Sequence, residues 1–434
     1  MEKKNKFKDE IDKPSMVQFI LRIIPKMMFF VVTIIIVLPL LPIYWLGCFI
    51  WYRPPNVPYT QQMLRYLKHT WTVSPENPVL PFFGRIWLSL SILHLYISSP
   101  IRGIAWLLDE LLYGSTLNEI SISRPFFVIS AGRSGSTQIT RYIEEDQGVV
   151  APNILQCMFP YLWLWRLVPN TIGRIIKPEK VREVIKSAMP AELWERHEVD
   201  PFKADTFDGA FLSFHFHRFS LFLGPEVAKE DFNMANITPY DEQIKKNDFV
   251  RLVDRLARKS IYFSGESTEE KSRRFYLKGH FLFAAQSLSE HYQDACFLTV
   301  IREPLSRLRS GINYIRVNPP DPVLGPVPWS WLTDTLIHTE VFYSNAEQKW
   351  FTSETNSTRS VIRFTEFVDD LESSMKQVYR DCFNSDELPP HVPKTHPPRE
   401  REHYTVNRTL SELGVDEGDL KNRLSNYIDW CQSA

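Results

Sequence analysis

Cysteine is scarce, and its placement offers no metal site. Five cysteines (Cys48, Cys157, Cys296, Cys382 and Cys431) are spread over 434 residues, with no C-x-x-C or similar ligand spacing. An excess of either charge is also missing. Fifty Lys and Arg stand against 51 Asp and Glu, a net charge of −1, so there is no basic footprint for a nucleic-acid partner. No internal repeat is visible, which excludes a solenoid or propeller. The apolar share of 44% and charged share of 23% are those of an ordinary globular chain, long enough for one large domain or two. Cys48 falls in an apolar segment and Cys296 in an expected interior strand, so both read as core or lipid-facing thiols. A disulfide among Cys157, Cys382 and Cys431 stays open if the domain faces an oxidising lumen.

Charge is absent altogether from Met27 to Tyr52. That run exceeds the roughly 20 residues that span a bilayer. It is too long for a signal-peptide core and has no clean small-residue cleavage site after it. Pro39 and Pro42 would kink it, which membrane helices tolerate. A buried core helix or a hairpin dipping into one leaflet are the competing readings. We expect a membrane-embedded segment in contact with the lipid bilayer. Lys3, Lys4, Lys6, Lys8, Lys13, Arg22 and Lys26 precede it, and basic flanks stay in the cytosol. The expected organisation is a basic cytosolic tail over 1–26, a transmembrane segment over 27–52, a connector over 53–123 and the main domain over 124–434. Within the connector, Ile86–Leu112 is apolar but interrupted by His94, Pro100, Arg102, Asp109 and Glu110, which are expensive in hydrocarbon. Two helices, about Gly84–Ser98 and Ile101–Tyr113, would pack on the domain or lie at the membrane surface. A second span is the alternative, and it would return the main domain to the cytosol. Sequons at Asn236, Asn356 and Asn407 fit a lumenal domain, although a chain this rich in Asn, Ser and Thr shows a couple by chance.

The most informative stretch is Phe126–Glu145, FFVISAGRSGSTQITRYIEE. Phe126–Ile129 is a short apolar run bounded by Pro125 and by Ser130-Ala131-Gly132, which suits an interior parallel strand. Ser134, Gly135, Ser136 and Thr137 follow, then helical sequence. Small residues let backbone N–H groups converge on an anion, hydroxyls add donors, and the helix N-terminus adds partial positive charge. Arg133 supplies a fixed cation. This is chemistry for a phosphate or a sulfate. A nucleotide triphosphatase loop needs a Lys after its last Gly, whereas Ser136 follows Gly135 here. A plain strand-turn-helix with no ligand is the bland alternative.

Cys296–Arg316, CFLTVIREPLSRLRSGINYIR, repeats the pattern: an apolar strand ending in Arg302, then Pro304 opening a helix, with Ser310 two turns in. Just upstream, Phe275–His280 places Lys278 and His280 at the end of another short strand. Together these stretches resemble the sulfotransferases that use 3′-phosphoadenosine-5′-phosphosulfate (PAPS). Gly132–Thr137 is similar to that family's 5′-phosphosulfate loop, Ile301–Gly311 to its 3′-phosphate motif, and Lys278-Gly279-His280 to its Lys-x-His. The order and spacing agree, over about Arg124–Thr409.

The resemblance implies an α/β fold: a central parallel β-sheet flanked by helices, P-loop-like, preceded here by an N-terminal membrane-embedded helical region. It implies PAPS as co-substrate, no metal, and a glycan, a lipid or another hydroxyl- or amine-bearing acceptor, by analogy with membrane members of the secretory pathway such as the Golgi. It implies roles as well. His280 would be the base, assisted by Lys278, and Arg133 would neutralise the leaving phosphate by charge, where cytosolic members have Lys. Ser134, Gly135, Ser136, Thr137 and Gln138 would hold the 5′ end, with Gln138 where cytosolic members have Trp. Arg302 and Ser310 would hold the 3′-phosphate, and Phe364 would either stack near the adenine or pack in the core. Glu144 is a fallback base. A magnesium-dependent phosphotransferase and a non-catalytic membrane protein retaining the fold are the other classes.

Elsewhere the pattern alternates strand and helix. Helices are expected over Gln138–Glu145, from Phe159 to Trp165, across Lys177–His197, Asp241–Lys259, Phe281–Tyr292 and Phe367–Cys382, with a strand at Ser360–Phe364. The aromatic run Phe207–Leu223 carries His215 and His217, which read as pocket wall or core rather than a metal pair. Asn318–Trp331 is Pro-rich and expected to be a loop. Arg399 and Arg401 are candidates for a basic grip on the cofactor, or an exposed tail.

Overall fold

The apolar runs that end in the Gly/Ser loop and in Arg302 lie side by side in one sheet. In the computed structural model of the chain, the described residues are 16–72, 82–171, 177–188, 200–206, 214–215, 247–265, 273–317, 329–353, 357–396 and 407–433. Most of the aromatic run, most of the Pro-rich loop, the sequons at Asn236 and Asn356, and Arg399 and Arg401 lie outside them. The strands are β1 (Phe126–Ile129), β2 (Val149–Val150), β3 (Arg274–Gly279), β4 (Cys296–Ile301) and β5 (Thr358–Arg363). They run in the order β2-β3-β1-β4-β5, and every pair is parallel. All residues of β1 and β4 are buried. That explains why both are almost wholly apolar, Thr299 apart, since a parallel sheet is covered on both faces.

Side chains alternate across β1. Phe126 and Val128 join Ile139, Ile143, Phe367, Met375 and Val378 on one face. Phe127 points the other way, stacked on Phe297 with centroids 5.3 Å apart and 6.3 Å from Phe281. The chain passes from β1 out to β2 on one side and from β3 across to β4 on the other. The carboxyl ends of β1 and β4 therefore flank a topological switch point, where open α/β sheets place their ligands.

The chain divides into two compact units. The first comprises Met1–Ile104, Leu212–Asn236 and Asn318–Thr339, the second Ala105–Phe211, Ile237–Val317 and Glu340–Ala434. The sheet belongs to the second.

In the first unit, helices Met16–Val37 and Leu41–Ile50 are joined by a 3₁₀ turn at Leu38–Leu40, where Pro39 and Pro42 interrupt the backbone hydrogen bonds. The stretch Ile23–Ile50 is long and apolar enough to cross a membrane, and most of it is exposed. It starts upstream of the charge-free run and takes in Lys26, whose ammonium bonds Ser91 Oγ and sits 3.5 Å from the Trp87 ring centroid. Thr33 Oγ1 lies 3.2 Å from His94 Nε2. Helix Phe82–Ile97 also packs on helix Thr60–Trp71 through Met63, Tyr66, Leu88, Ile92 and Leu95. His215 is fully buried with Nε2 2.8 Å from the carbonyl of Pro55, a structural role, while His217 lies outside the described residues.

Helix Ser99–Glu119 carries Asp109 and Glu110, the charges that are costly in lipid. In the second unit, Asp109 pairs with Lys259 at 2.9 Å and accepts the N–H groups of Leu162 and Trp163 at the start of helix Leu162–Asn170. Glu110 pairs with Arg255 at 2.8 Å.

Several boundaries shift from expectation for local reasons. The first helix after β1 starts at Ser136 rather than Gln138. The expected Phe281–Tyr292 helix is a 3₁₀ turn followed by Ala285–His291. The expected Phe367–Cys382 helix is three pieces, Phe364–Asp369, Leu371–Val378 and a π-helical turn at Tyr379–Phe383. The chain breaks at Asp370, whose carboxylate caps Ser373 N–H at 3.0 Å. Helix Trp329–Thr352 occupies sequence with no clean apolar stripe. Cys296 is not the free core thiol expected. It is disulfide-bonded to Cys382, with Cα atoms 5.5 Å apart, while Cys48, Cys157 and Cys431 are free.

Candidate anion-binding and transfer site

The site grows from the end of β1. Ser130 Oγ accepts the N–H of Val300, which ties the loop entry to β4 at 2.9 Å. The chain then turns through Ala131–Gly135 into helix Ser136–Ile143. Two residues in this turn have left-handed backbone, Arg133 at φ +66° and Gly135 at φ +94°. Such turns point consecutive N–H groups into one concavity, which suits an anion. Gly135 is required twice over. Its φ disfavours any side chain, and a Cβ there would stand 2.8 Å from the Phe364 ring. Ser134 is fully buried, and its Oγ has no hydrogen-bond partner among the described residues. A buried hydroxyl without a partner is costly unless a ligand completes it. No side chain caps the helix start, so its first N–H groups, apart from that of Gln138 on the Gly135 carbonyl, are left for the same ligand.

The second motif meets the first here. Arg302 follows β4 directly, and its Nη1 donates to the Arg133 carbonyl at 2.8 Å. The β4–β5 register pairs Ile301 with Arg363, so the next residues, Arg302 and Phe364, also adjoin. The Arg302 guanidinium carbon lies 4.3 Å from the Phe364 ring centroid. Phe364 thus packs against the core and also borders the loop and Arg302. Two turns into helix Pro304–Val317, Ser310 Oγ accepts from Arg133 Nε at 3.1 Å. Burial, then Arg133, then Arg307 push the Arg302 pKa down. Like charges held together and partly desolvated are a cost to the fold that a bound anion would relieve.

Behind this pair lies a buried polar network. Arg307 donates to Glu340 at 2.8 Å, to Ser344 at 2.6 Å and to Tyr427 at 3.0 Å. Glu347 accepts from Tyr427 at 2.6 Å and from Thr299 at 2.5 Å. Burial holds the Glu347 pKa above its ordinary value despite Arg307 and its hydrogen bonds. The network braces β4, the Arg302–Ser310 helix and the C-terminal helix Ser425–Ser433. The C-terminal segment also docks on that helix, where Asn313 exchanges two hydrogen bonds with the backbone of Arg408 at 3.0 and 2.9 Å.

The third motif faces the loop from β3. Lys278 lies opposite Val128, and its Nζ donates to Thr137 Oγ1 and to Asp205 Oδ1, each at 2.7 Å. His280 is half-buried. Its Nε2 lies 3.5 Å from where a Cβ on Gly132 would stand, so the ring addresses the loop. Glu144 has a different task. Its carboxylate accepts the Ala204 N–H at 2.8 Å and pairs with Arg141 at 3.1 Å, so it clamps a chain segment. Gln138 is in the first helical turn with its N–H on the Gly135 carbonyl at 3.0 Å, and Ser136 is buried beside it.

All eleven expected site residues therefore lie at the carboxyl ends of β1, β3, β4 and β5, within one unit. Contacts link Arg133 to Ser310 and Arg302, Phe364 to Arg302 and Gly135, and Lys278 to Thr137. Sequence reasoning missed Asp205. It sits far from every motif, and only its neighbour Thr206, bridged in parallel to Lys278, brings it in.

No family model and no curated protein matches the chain. Two solved structures do. One is the sulfotransferase STF9 from Mycobacterium avium, with a TM-score of 0.56 at 14% identity over 89% of this chain and 95% of that one. The other is the sulfotransferase STF1 from Mycobacterium tuberculosis H37Rv, with a TM-score of 0.50 at 14% identity over 84% of this chain and 92% of that one. The chain has the sulfotransferase fold.

Proposed function

We propose that the chain transfers a sulfonate group from 3′-phosphoadenosine-5′-phosphosulfate to a hydroxyl or amine of an acceptor, a glycan or a lipid. The observation that carries this is the convergence of Arg133, Arg302 and Ser310 on a loop whose Ser134 hydroxyl is buried without a partner. Two cations, uncapped helix N–H groups and an orphan hydroxyl fit a substrate with anions at both ends. Ser134–Gln138 would hold the 5′ end, and Arg302 and Ser310 the 3′-phosphate, with the Phe364 ring beside them.

In the reaction a bond forms between the acceptor oxygen and sulfur as the bond from sulfur to the bridging phosphate oxygen breaks. The bonding electrons leave with the phosphate, where fixed charge from Arg133 favours them without giving up a proton. His280 takes the acceptor proton. Lys278 adds charge at the same end. No step calls for a metal.

We place the domain in the lumen of the secretory pathway, Golgi being the natural station, behind the apolar segment 23–50. The Cys296–Cys382 disulfide supports this, because such bonds persist in oxidising compartments. The pairing of Asp109 and Glu110 with protein cations supports a connector packed on protein over a second span.

The test is thermal stabilisation of the full chain by 3′,5′-bisphosphoadenosine against 5′-ADP, with Arg302→Ala alongside. A ligand that binds only the native state raises its stability. The expected result is a strong preference for the bisphosphate that Arg302→Ala abolishes. Equal response to both ligands, or a response that needs magnesium, overturns the proposal.

A further inference from the structure

We propose that Asp205 is a positioning residue that holds the Lys278 ammonium against Thr137, at the reacting end of the site. The inference rests on the sulfonate-transfer reading given above and adds a residue to it.

Lys278 and Asp205 side chains are each 4% exposed and 2.7 Å apart. An ammonium this deeply buried is unfavourable without a carboxylate partner, and would shed its proton or swing away. Asp205 supplies the counter-charge, and Thr137 Oγ1 at 2.7 Å supplies the direction. The segment bearing Asp205 is fixed by the same helix that carries Thr137. Arg141 Nη1 donates to the Ala204 carbonyl at 2.7 Å, and Glu144 accepts the Ala204 N–H at 2.8 Å. Arg141 also stands 3.7 Å from Asp205 Oδ2. Further along the segment, Asp200 pairs with Arg182 at 2.9 Å. Helix Ser136–Ile143 therefore sets both partners of Lys278, and the ammonium cannot drift from the loop without breaking the clamp. The Asp205 carboxylate is engaged by Lys278 and Arg141. The proton of the acceptor is left to His280.

The test compares the full chain with Asp205→Asn, which keeps the shape and removes the charge. Bisphosphate release from the donor, bisphosphate affinity and the pH dependence of turnover are measured. The affinity stays within about threefold, because Arg302 and Ser310 keep their contacts with Arg133. Turnover falls about tenfold or more, and its alkaline limb moves to lower pH, since a buried ammonium without its counter-charge loses its proton sooner. Asp205→Glu recovers part of the rate. In a double variant with Lys278→Met, Asp205→Asn adds little beyond Lys278→Met alone, as expected for residues that act as a unit.

Unchanged turnover and alkaline limb in Asp205→Asn overturns the inference, as does full multiplication of the two effects in the double variant. Titration of the Lys278 ammonium, read by NMR of ¹³Cε-labelled lysine with Lys278→Met to assign the signal, needs no donor. Its midpoint moves down in Asp205→Asn if the pair is as described and stays put if not. Failure of the wild-type chain to bind the bisphosphate would sink the sulfonate-transfer reading, while that midpoint would still decide the pairing.

Discussion

Arg133 Nε–H donates to the hydroxyl of Ser310 across 3.1 Å, joining the last hydroxyl of one anion motif to the cation of the other. The residues are 177 positions apart in the chain, so the contact exists only because β1 and β4 are neighbours. Ser310→Ala should weaken the bisphosphate about tenfold through loss of a charge-assisted contact, and leave 5′-ADP nearly unaffected. Calorimetric titration of both ligands checks this. Equal weakening of the two would remove Ser310 from the 3′ end.

Arg133 itself carries a stability cost. Its backbone is left-handed at φ +66°, unfavourable for a residue with a side chain by roughly 1 kcal/mol. It also lies beside Arg302, whose pKa it helps depress. Arg133→Gly should therefore leave the thermal midpoint unchanged or raised, while the bisphosphate response and donor turnover fall. A fold-supporting arginine would show the reverse, a lower midpoint with the ligand response intact.

Gly135 makes the opposite prediction. Its φ of +94° and the Phe364 ring, 2.8 Å from where a Cβ would stand, both resist a methyl group. Gly135→Ala should cost about 1–3 kcal/mol and reduce bisphosphate binding by displacing the ring. Adding Phe364→Ala should return the steric part of the loss and leave the backbone part. Chemical denaturation of the two variants separates these contributions.

The sheet and the three motifs were legible because each is a short local pattern: an apolar run, a Gly/Ser or Pro punctuation, then a helix. Placing Arg302 at a strand end and Ser310 eight residues later followed from the helical period alone. The pairing of Phe364 with Arg302 did not, because it depends on the β4–β5 register. Asp205 was illegible for the same reason. An isolated Asp-Thr carries no pattern, and only the parallel bridge from Thr206 to Lys278 brings it to the site. Cys296 read as a thiol because its partner, Cys382, is 86 residues away. The long helix Trp329–Thr352 was missed because one side of it is polar and buried, with Glu340, Ser344 and Glu347 turned to Arg307.

That buried network is a stability element separable from the site. Arg307 is 1% exposed, and Glu347 is fully buried. Arg307→Met would strand two carboxylates, at a cost of about 3–5 kcal/mol. A Glu347→Leu change added to Arg307→Met should recover part of that loss by removing one stranded charge. Denaturant midpoints test the order, wild type above the double variant above Arg307→Met.

Asp254 sets an acid limit on stability. Burial raises its pKa, but hydrogen bonds from His291 and Arg258 and their charges outweigh burial and bring it down to about 2. The Arg258 contact is 2.8 Å, and Tyr292 also donates to the carboxylate at 3.0 Å. A carboxyl whose folded pKa lies below its unfolded value binds fewer protons in the native state. Its contribution is therefore complete above the unfolded value of about 4, and is lost as pH falls through the folded value near 2. A shift of this size corresponds to about 2 kcal/mol at neutral pH. Asp254→Asn should lower stability at pH 7 by roughly that amount and flatten the decline between pH 4 and pH 2 relative to wild type. Denaturant titrations of both chains across that window measure the difference directly. Parallel curves would mean that Asp254 has the same pKa folded and unfolded, and that the His291 and Arg258 contacts only balance its burial.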